Sequence, residues 1–337
     1  MHVFVTGATG FIGFHTVRAL LEAGHTVRLG VRNVAKMKVL YDTQGLNIED
    51  FAVGEITDKE AIDAALDGCD AVVHTAAMVS LDPQKADQMH YTNVTGTRLV
   101  IGGAVAKGIR SIVHVSSTAA VFDPGAPVVN ESLPIALQTS AYGKSKADSE
   151  RYVRDLIDDG ASISITYPSG VLGPQDPAMS EGNQGLAIFF NQTFVLTSSG
   201  MQVIDVRDLA DVHVALLEQK KTGSYLVAGH FRSWDELGQI LEQITDRKLR
   251  KLPIPGWLLR ALAGAVEALA KVVRLDTPLT PEAAMYGTQW VYVDDRKVRS
   301  ALDVTYRPIE ETLADTIRWL ADSGHIEKYW AQKLSIR

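Results

Sequence analysis

The run His2-Val3-Phe4-Val5-Thr6, followed at once by Gly7-Ala8-Thr9-Gly10-Phe11-Ile12-Gly13, constrains this chain more than any other feature. A short β-branched and aromatic run reads as a buried strand, and the apolar pattern of 11–23, closed by Gly24, reads as a helix. Each glycine of the junction meets a separate demand. Gly7 permits a tight turn, Gly10 lets backbone approach a pyrophosphate, and Gly13 allows the helix to lie close on the strand. Free N–H groups at the helix start then face the phosphate charge. The turn predicts a dinucleotide site with Gly7, Thr9, Gly10, Phe11, Ile12 and Gly13 along the cofactor.

The alternation continues. Strands are predicted at 26–31, 70–74, 111–115 and 162–167, with helices over 58–67, 91–107 and 142–158 between them. Such order implies right-handed crossovers and an α/β fold of the Rossmann type, a doubly wound parallel sheet with helices on both faces. Beyond residue 168 the pattern loosens. Residues 173–185, rich in Gly, Pro and polar side chains, read as a mobile loop. An apolar run entering a helix through Asp208 at 202–219 and a strand at 224–228 follow. The chain therefore divides into a nucleotide-binding part, 1–168 with 202–230 and about 288–304 returning to it, and a smaller substrate-binding part made of 169–201, 231–287 and 305–337.

Composition narrows the function. A net charge of −7 leaves no basic excess for nucleic acid. A single cysteine, Cys69, excludes an internal disulfide or a thiolate cluster, and no spacing suggests a metal site. The first residues already form a strand, which leaves no place for a secretion signal and suggests a cytoplasmic protein. No transmembrane segment is expected: the long apolar stretch Trp257 to Leu275 is interrupted by Arg260, Glu267, Lys271 and Arg274. It reads as an amphipathic helix, either packed on the substrate side or in peripheral contact with a membrane.

Two further patterns carry chemistry. The second strand ends in Val31-Arg32, with no carboxylate before Asp42, where NAD enzymes place an acid for the ribose hydroxyls. Arg32, assisted by Lys36, suits a 2′-phosphate instead, so NADP(H) is the expected cofactor. Tyr142-Gly143-Lys144-Ser145-Lys146 puts a phenol and an ammonium on one helix face. The ammonium, together with an oxidised nicotinamide, would pull the phenol toward a working pKa. Upstream, the strand 111–115 ends in Ser116-Ser117-Thr118, where a hydroxyl can hold a carbonyl oxygen. His74 and His114, at strand ends, have no ligand partners at metal spacing and read as packed structural residues.

Taken together, TGATGFIG at 6–13, HTAA at 74–77, TNVTGT at 92–97, HVSSTAAV at 114–121, YGKSK at 142–146, YPSGVLGP at 167–174, VIDVRDLADVH at 203–213 and DDRKVRSALDVTYRP at 294–308 resemble the extended short-chain dehydrogenase/reductases. The resemblance is to the dihydroflavonol 4-reductase and 3β-hydroxysteroid dehydrogenase branch and runs through nearly the whole chain. It implies Tyr142 as proton donor, Lys146 as its tuner and ribose holder, and Ser117 as catalytic hydroxyl, with Thr118 competing under an alignment shifted by one. It further implies Thr75, Ala76 and Ala77 as the wall beside the cofactor, Pro168 and Val171 near the nicotinamide, Glu55-Ile56 at the adenine, and Asn93 as a structural residue. Glu55 departs from the family's usual Asp.

These residues suggest reduction of a ketone or aldehyde, or oxidation of the matching alcohol. An NAD-dependent nucleotide-sugar epimerase is the alternative; a dehydratase would carry Asp-Glu after Thr118, where this chain has Ala119 and Ala120. A cofactor-sensing protein without turnover would commonly lack Tyr142 or Lys146, and both are here. Leu186-Ala187-Ile188-Phe189-Phe190 and Phe194-Val195-Leu196 are candidate walls for an apolar small-molecule substrate, or else the smaller part's own core. Helices 91–107 and 142–158 resemble the pair that forms a homodimer interface in related enzymes.

Overall fold

The computed structural model describes residues 1–80, 83–136, 140–270 and 279–336. Its main sheet has seven strands: β1 (His2–Thr6), β2 (Thr26–Val31), β3 (Phe51–Val53), β4 (Ala71–His74), β5 (Ser111–Val115), β6 (Ile163–Pro168) and β10 (Gly223–Val227). They lie in the order β10-β6-β5-β4-β1-β2-β3, and every pairing is parallel. β4, β6 and most of β1 and β5 are buried on both faces, which is why apolar and β-branched residues dominate them. The chain reverses direction across the sheet between β1 and β4. That switch point opens a crevice at the carboxyl ends, and the glycine turn sits in it.

On one face lie α1 (Phe11–Glu22), α2 (Val34–Asp42), α8 (Val206–Glu218) and α12 (Arg296–Leu302), packed through Phe14, Val17, Leu20, Leu209, Val212 and Val298. The other face carries α3 (Lys59–Leu66), α4 (Ala86–Thr97), α5 (Gly103–Ala106) and α6 (Ala141–Asp158). α4 runs into α5 through a π-helical turn at Arg98–Gly102, where a Cβ on Gly102 would lie 2.2 Å from the Tyr152 hydroxyl. The predicted helix 91–107 is therefore real but longer, starting at Ala86.

The remaining elements form a smaller region. β7 (Gly170–Leu172), β9 (Gly200–Asp205) and β11 (His230–Ser233) make one sheet, and β8 (Phe194–Leu196) pairs with β12 (Lys251–Pro253). Helices α7 (Glu181–Asn191), α9 (Trp234–Thr245) and α13 (Ile309–Asp322) close over them around a separate core. α10 (Gly256–Ala270) and α11 (Pro281–Thr288) pack side by side. The described part of the predicted 257–275 helix is α10; 271–275 lies outside the described residues.

One expectation needs correction here. Residues 173–185 are not a loose loop. Asp176, buried, accepts from the backbone N–H groups of Ala178 and Ser180 and from Asn183 Nδ2, and α7 begins at Glu181. The segment is also tied to α1, since His15 Nε2 bonds Pro174 O at 2.9 Å and Arg18 donates to Gln175 at 2.6 Å. Turn-forming residues mark irregular backbone, and here side-chain bonds hold that backbone in place. Of the two readings of 186–190 and 194–196, the structure favours the second: Leu186, Ala187, Phe190 and Phe194 are buried in the smaller region's own core.

Candidate active site

Local sequence builds the cofactor cradle. Gly7 sits at φ +71°, and a Cβ on it would stand 2.5 Å from Thr75 Oγ1 and 2.7 Å from Ala76 N. At Gly13 a Cβ would meet Gly7 O at 2.2 Å. Both positions thus require glycine for close backbone approach. Thr75 is fixed by donating to Thr6 O at 2.7 Å, and Tyr41 OH, donating to Ala8 O at 2.8 Å, ties α2 to the turn. Gly10 begins α1 with no side-chain cap and no acid in the first turn. The open N–H groups and the bare glycine surface fit a pyrophosphate.

At the far end of the crevice Arg32 and Glu55 face each other across β2 and β3, with Nη1 3.6 Å from Oε2. Their side chains are 75% and 58% exposed, so the pair is readily exchanged for a ligand group. Lys36 is exposed in the first turn of α2. Ile56 lies against α4, where a Cβ on Gly96 would come within 2.4 Å of its Cδ1. Ala77 is exposed beyond β4, Pro168 closes β6, and half-buried Val171 follows in β7.

Ser140 caps α6 and starts the reacting group: its Oγ accepts from Gly143 N at 3.0 Å and donates to Glu282 Oε1 at 2.9 Å. One turn on, Lys146 is buried, its Nζ 5.9 Å from the Tyr142 ring centre and donating to Val115 O at 3.4 Å. Burial pushes the ammonium down to about 8, with the charge of Glu150 opposing. Burial also pushes the Tyr142 phenol above its ordinary value. The Glu181 carboxylate adds to this, a hydrogen bond with Ser117 opposes it, and Glu282 adds again. The expected lowering joins Lys146 to an oxidised nicotinamide; in the chain alone, burial is the largest influence on the phenol.

Of the two candidate hydroxyls, Ser117 reaches Tyr142. Ser117 is half-buried and accepts from Ala119 N at 3.1 Å, whereas Thr118 is buried in the short turn Thr118–Ala120. Asn93 has the structural role expected of it. Its side chain bonds both backbone groups of Met78, at 2.7 and 3.0 Å, and donates to Ser145 Oγ at 3.0 Å, joining the loop after β4 to α6. His74 and His114 are buried and stacked 5.6 Å apart; His74 bonds Thr6 Oγ1 at 2.7 Å, and burial pushes both rings below the ordinary histidine value.

Sequence reasoning missed the outer wall. The charges of Glu181 from α7 and Glu282 from α11 both raise the Tyr142 phenol, and Tyr142 in turn raises Tyr286 of α11. Tyr286 leans on Phe122 at 5.1 Å, and Phe122 on Trp290 at 5.4 Å. Only Ser140 had a local signal, as a capping residue ahead of the Tyr142 helix. The rest come from elements distant in sequence.

A match to the family model described as the NAD dependent epimerase/dehydratase family covers residues 3–229. The chain belongs to that family. Cinnamoyl-CoA reductase 1 of Arabidopsis thaliana is 29% identical over 347 residues, covering 96% of this chain and 90% of the reductase. UDP-glucose 4-epimerase of Neisseria meningitidis serogroup A is 30% identical over 260 residues, covering 67% of this chain and 76% of the epimerase. Among solved structures, that of gox2253 superposes with a TM-score of 0.81 at 27% identity, covering 96% of this chain and 99% of gox2253. This protein is an enzyme of a superfamily built on nicotinamide dinucleotides, with both reductases and epimerases among its relatives.

Proposed function

We propose that the chain is an NADP(H)-dependent reductase of a ketone or aldehyde on a small, largely apolar molecule, or the dehydrogenase of the matching alcohol. The observation that carries the reading is the phenol of Tyr142 beside the hydroxyl of Ser117, with Lys146 beneath, at the end of β5 next to the switch point. A bound nicotinamide supplies or accepts the hydride. Ser117 holds the substrate oxygen by a hydrogen bond, Tyr142 delivers the proton to that oxygen, and Lys146 holds the ribose hydroxyls and stabilises the phenolate left behind. The cofactor's path runs along Gly7, Thr9, Gly10, Phe11, Ile12 and Gly13, past Thr75, Ala76 and Ala77, to Pro168 and Val171. Arg32 and Lys36 grip the 2′-phosphate, with Glu55 and Ile56 at the adenine.

Half-buried Tyr286, which Tyr142 acts on through its charge, supports an apolar substrate body. Residues 1–168, 202–230 and about 288–304 act as the nucleotide domain and the remainder as the substrate domain. The enzyme is cytoplasmic and a homodimer through α4 and α6, whose exposed Tyr91 suits an interface. Oxidation of NADPH and NADH is followed over a panel of hydrophobic and sugar carbonyls. Turnover of hydrophobic carbonyls with NADPH is expected, and Tyr142→Phe lowers it by about 100- to 10,000-fold. Strong turnover of nucleotide sugars alone would replace this reading.

The similarity to UDP-glucose 4-epimerase favours a second reading, in which a tightly held NAD cycles within one turnover. Retention of NAD through purification, with no reversible NADPH binding, selects it.

A further inference from the structure

Helix α10 is apolar on the side it turns outward. Its inner side is accounted for: Ala263 is buried, Leu259 and Val266 are half-buried, and Arg260 donates to Thr288 of the adjoining α11 at 2.8 Å. A surface helix packed in this way ordinarily shows charge to solvent. Here the outer side is Trp257, Leu258, Ala261, Leu262, Ala265 and Leu269, and the only charge on it among the described residues is Glu267. Trp257 is 67% exposed, Leu262 44% and Leu269 52%. Leu252, in β12 shortly before α10 in the chain, is also 48% exposed. An exposed apolar surface of this extent marks a contact.

Charge says what the contact is with. Immediately before the patch the chain reads Arg247-Lys248-Leu249-Arg250-Lys251. Lys248 and Lys251 share one carboxylate, Glu242, at 3.0 and 3.2 Å, and Arg247 lies over the Tyr329 ring at 4.7 Å. Arg250 is exposed. The strip thus stays positive on a chain whose net charge is −7. An exposed tryptophan, leucines and a flanking basic strip together match the boundary between anionic headgroups and acyl chains. A second copy of this chain matches less well, because two-fold pairing sets each basic strip against its own image. Among the described residues no helix is long and apolar enough to cross a membrane.

We infer that the outer side of α10 lies in the interface of an anionic lipid bilayer, with the 247–251 strip on the headgroups. α11, which packs along α10, carries Glu282, whose charge acts on Tyr142, so the membrane-facing helix adjoins an element that bears on the site. A substrate dissolved in the bilayer would reach the site without crossing water. Binding of the bilayer itself does not rest on the reductase reading.

The purified full chain is sedimented with vesicles of phosphatidylcholine alone or mixed equally with phosphatidylglycerol. It is expected to pellet with the mixed vesicles. The double change Trp257→Glu and Leu262→Glu should reduce bound protein by about tenfold or more while leaving the melting temperature unchanged. Lys248→Glu with Arg250→Glu, or raised salt, should reduce it several-fold. In a second measurement, tryptophan emission of the wild type shifts to the blue on adding mixed vesicles, and Trp257→Phe removes that shift. Wild-type protein remaining in the supernatant with both vesicles overturns the inference. So does light scattering that shows a dimer which Trp257→Glu dissociates and which ignores lipid.

Discussion

At the scale of single residues, the site depends on a balance between burial and charge. Lys146 is held near 8 by desolvation and lies beside a phenol that desolvation pushes the other way. Only the protonated ammonium stabilises a phenolate, so kcat/KM of the free enzyme should fall as pH rises through about 8. Lys146→Met should leave a low rate without that limb. A profile flat from pH 7 to 9.5 in the wild type would remove Lys146 from the proton transfer. Arg32 belongs to the same scale. Its exposed pairing with Glu55 costs little to break, whereas charge-assisted bonds to a phosphate contribute about 1.5–3 kcal/mol. Arg32→Ala should therefore weaken NADPH binding by roughly 10- to 100-fold and NADH binding hardly at all, as read by fluorescence titration. Tyr142, Lys146 and Ser117 were legible because each lies in a short motif. Glu282 was not: a hydrogen bond between positions 140 and 282 leaves no local pattern.

At the scale of elements, periodicity and punctuation explain both successes and failures. β1, β4, β5 and β6 are recognisable because burial on both faces favours apolar and β-branched residues throughout, and β2 because buried Val27, Leu29 and Val31 alternate with less buried positions. α2 and the three-residue β3 escaped notice. α2 buries only Met37 and Tyr41, and β3, at the edge of the sheet, has no fully buried residue, so neither leaves a strong period. The 173–185 segment misled because Gly and Pro signal a departure from regular structure, while the bonds that fix it come from Asp176, His15 and Arg18. The strand–turn–helix unit of β1 and α1 gives the sharpest prediction here. Gly13→Ala would force a methyl to within 2.2 Å of Gly7 O, so α1 must move off the turn. A loss of about 1–3 kcal/mol in urea denaturation is expected, with dinucleotide affinity down at least about tenfold. Native stability and affinity in that variant would mean the turn does not hold the cofactor.

For the whole molecule, four buried histidines set the acid limit. Burial lowers His15 to about 4 and His74 and His213 to about 3, and lowers His114 well below its ordinary value. All four are neutral when folded and take up protons near 6.5 when unfolded. The unfolded state therefore binds more protons below that value, and stability falls as pH drops from about 6.5 toward 4. Each histidine contributes up to about 1.4 kcal/mol per pH unit across this window. Urea midpoints measured at pH 7.5, 6 and 5 should fall steeply below 6.5, and His213→Asn should flatten the slope. A midpoint independent of pH over that range would contradict the buried neutral rings.

The order in which the sheet is assembled has a consequence for biogenesis. β6 meets solvent on one side until β10 arrives, and β10 is separated from it by the whole of the first excursion into the smaller region. While a ribosome has made only the residues up to β6, the nascent sheet ends in an unpaired strand whose every residue is buried in the finished fold. The chain must pass that hazard before translation supplies the protecting neighbour, so a helper that shields nascent edges would raise its yield in a cell.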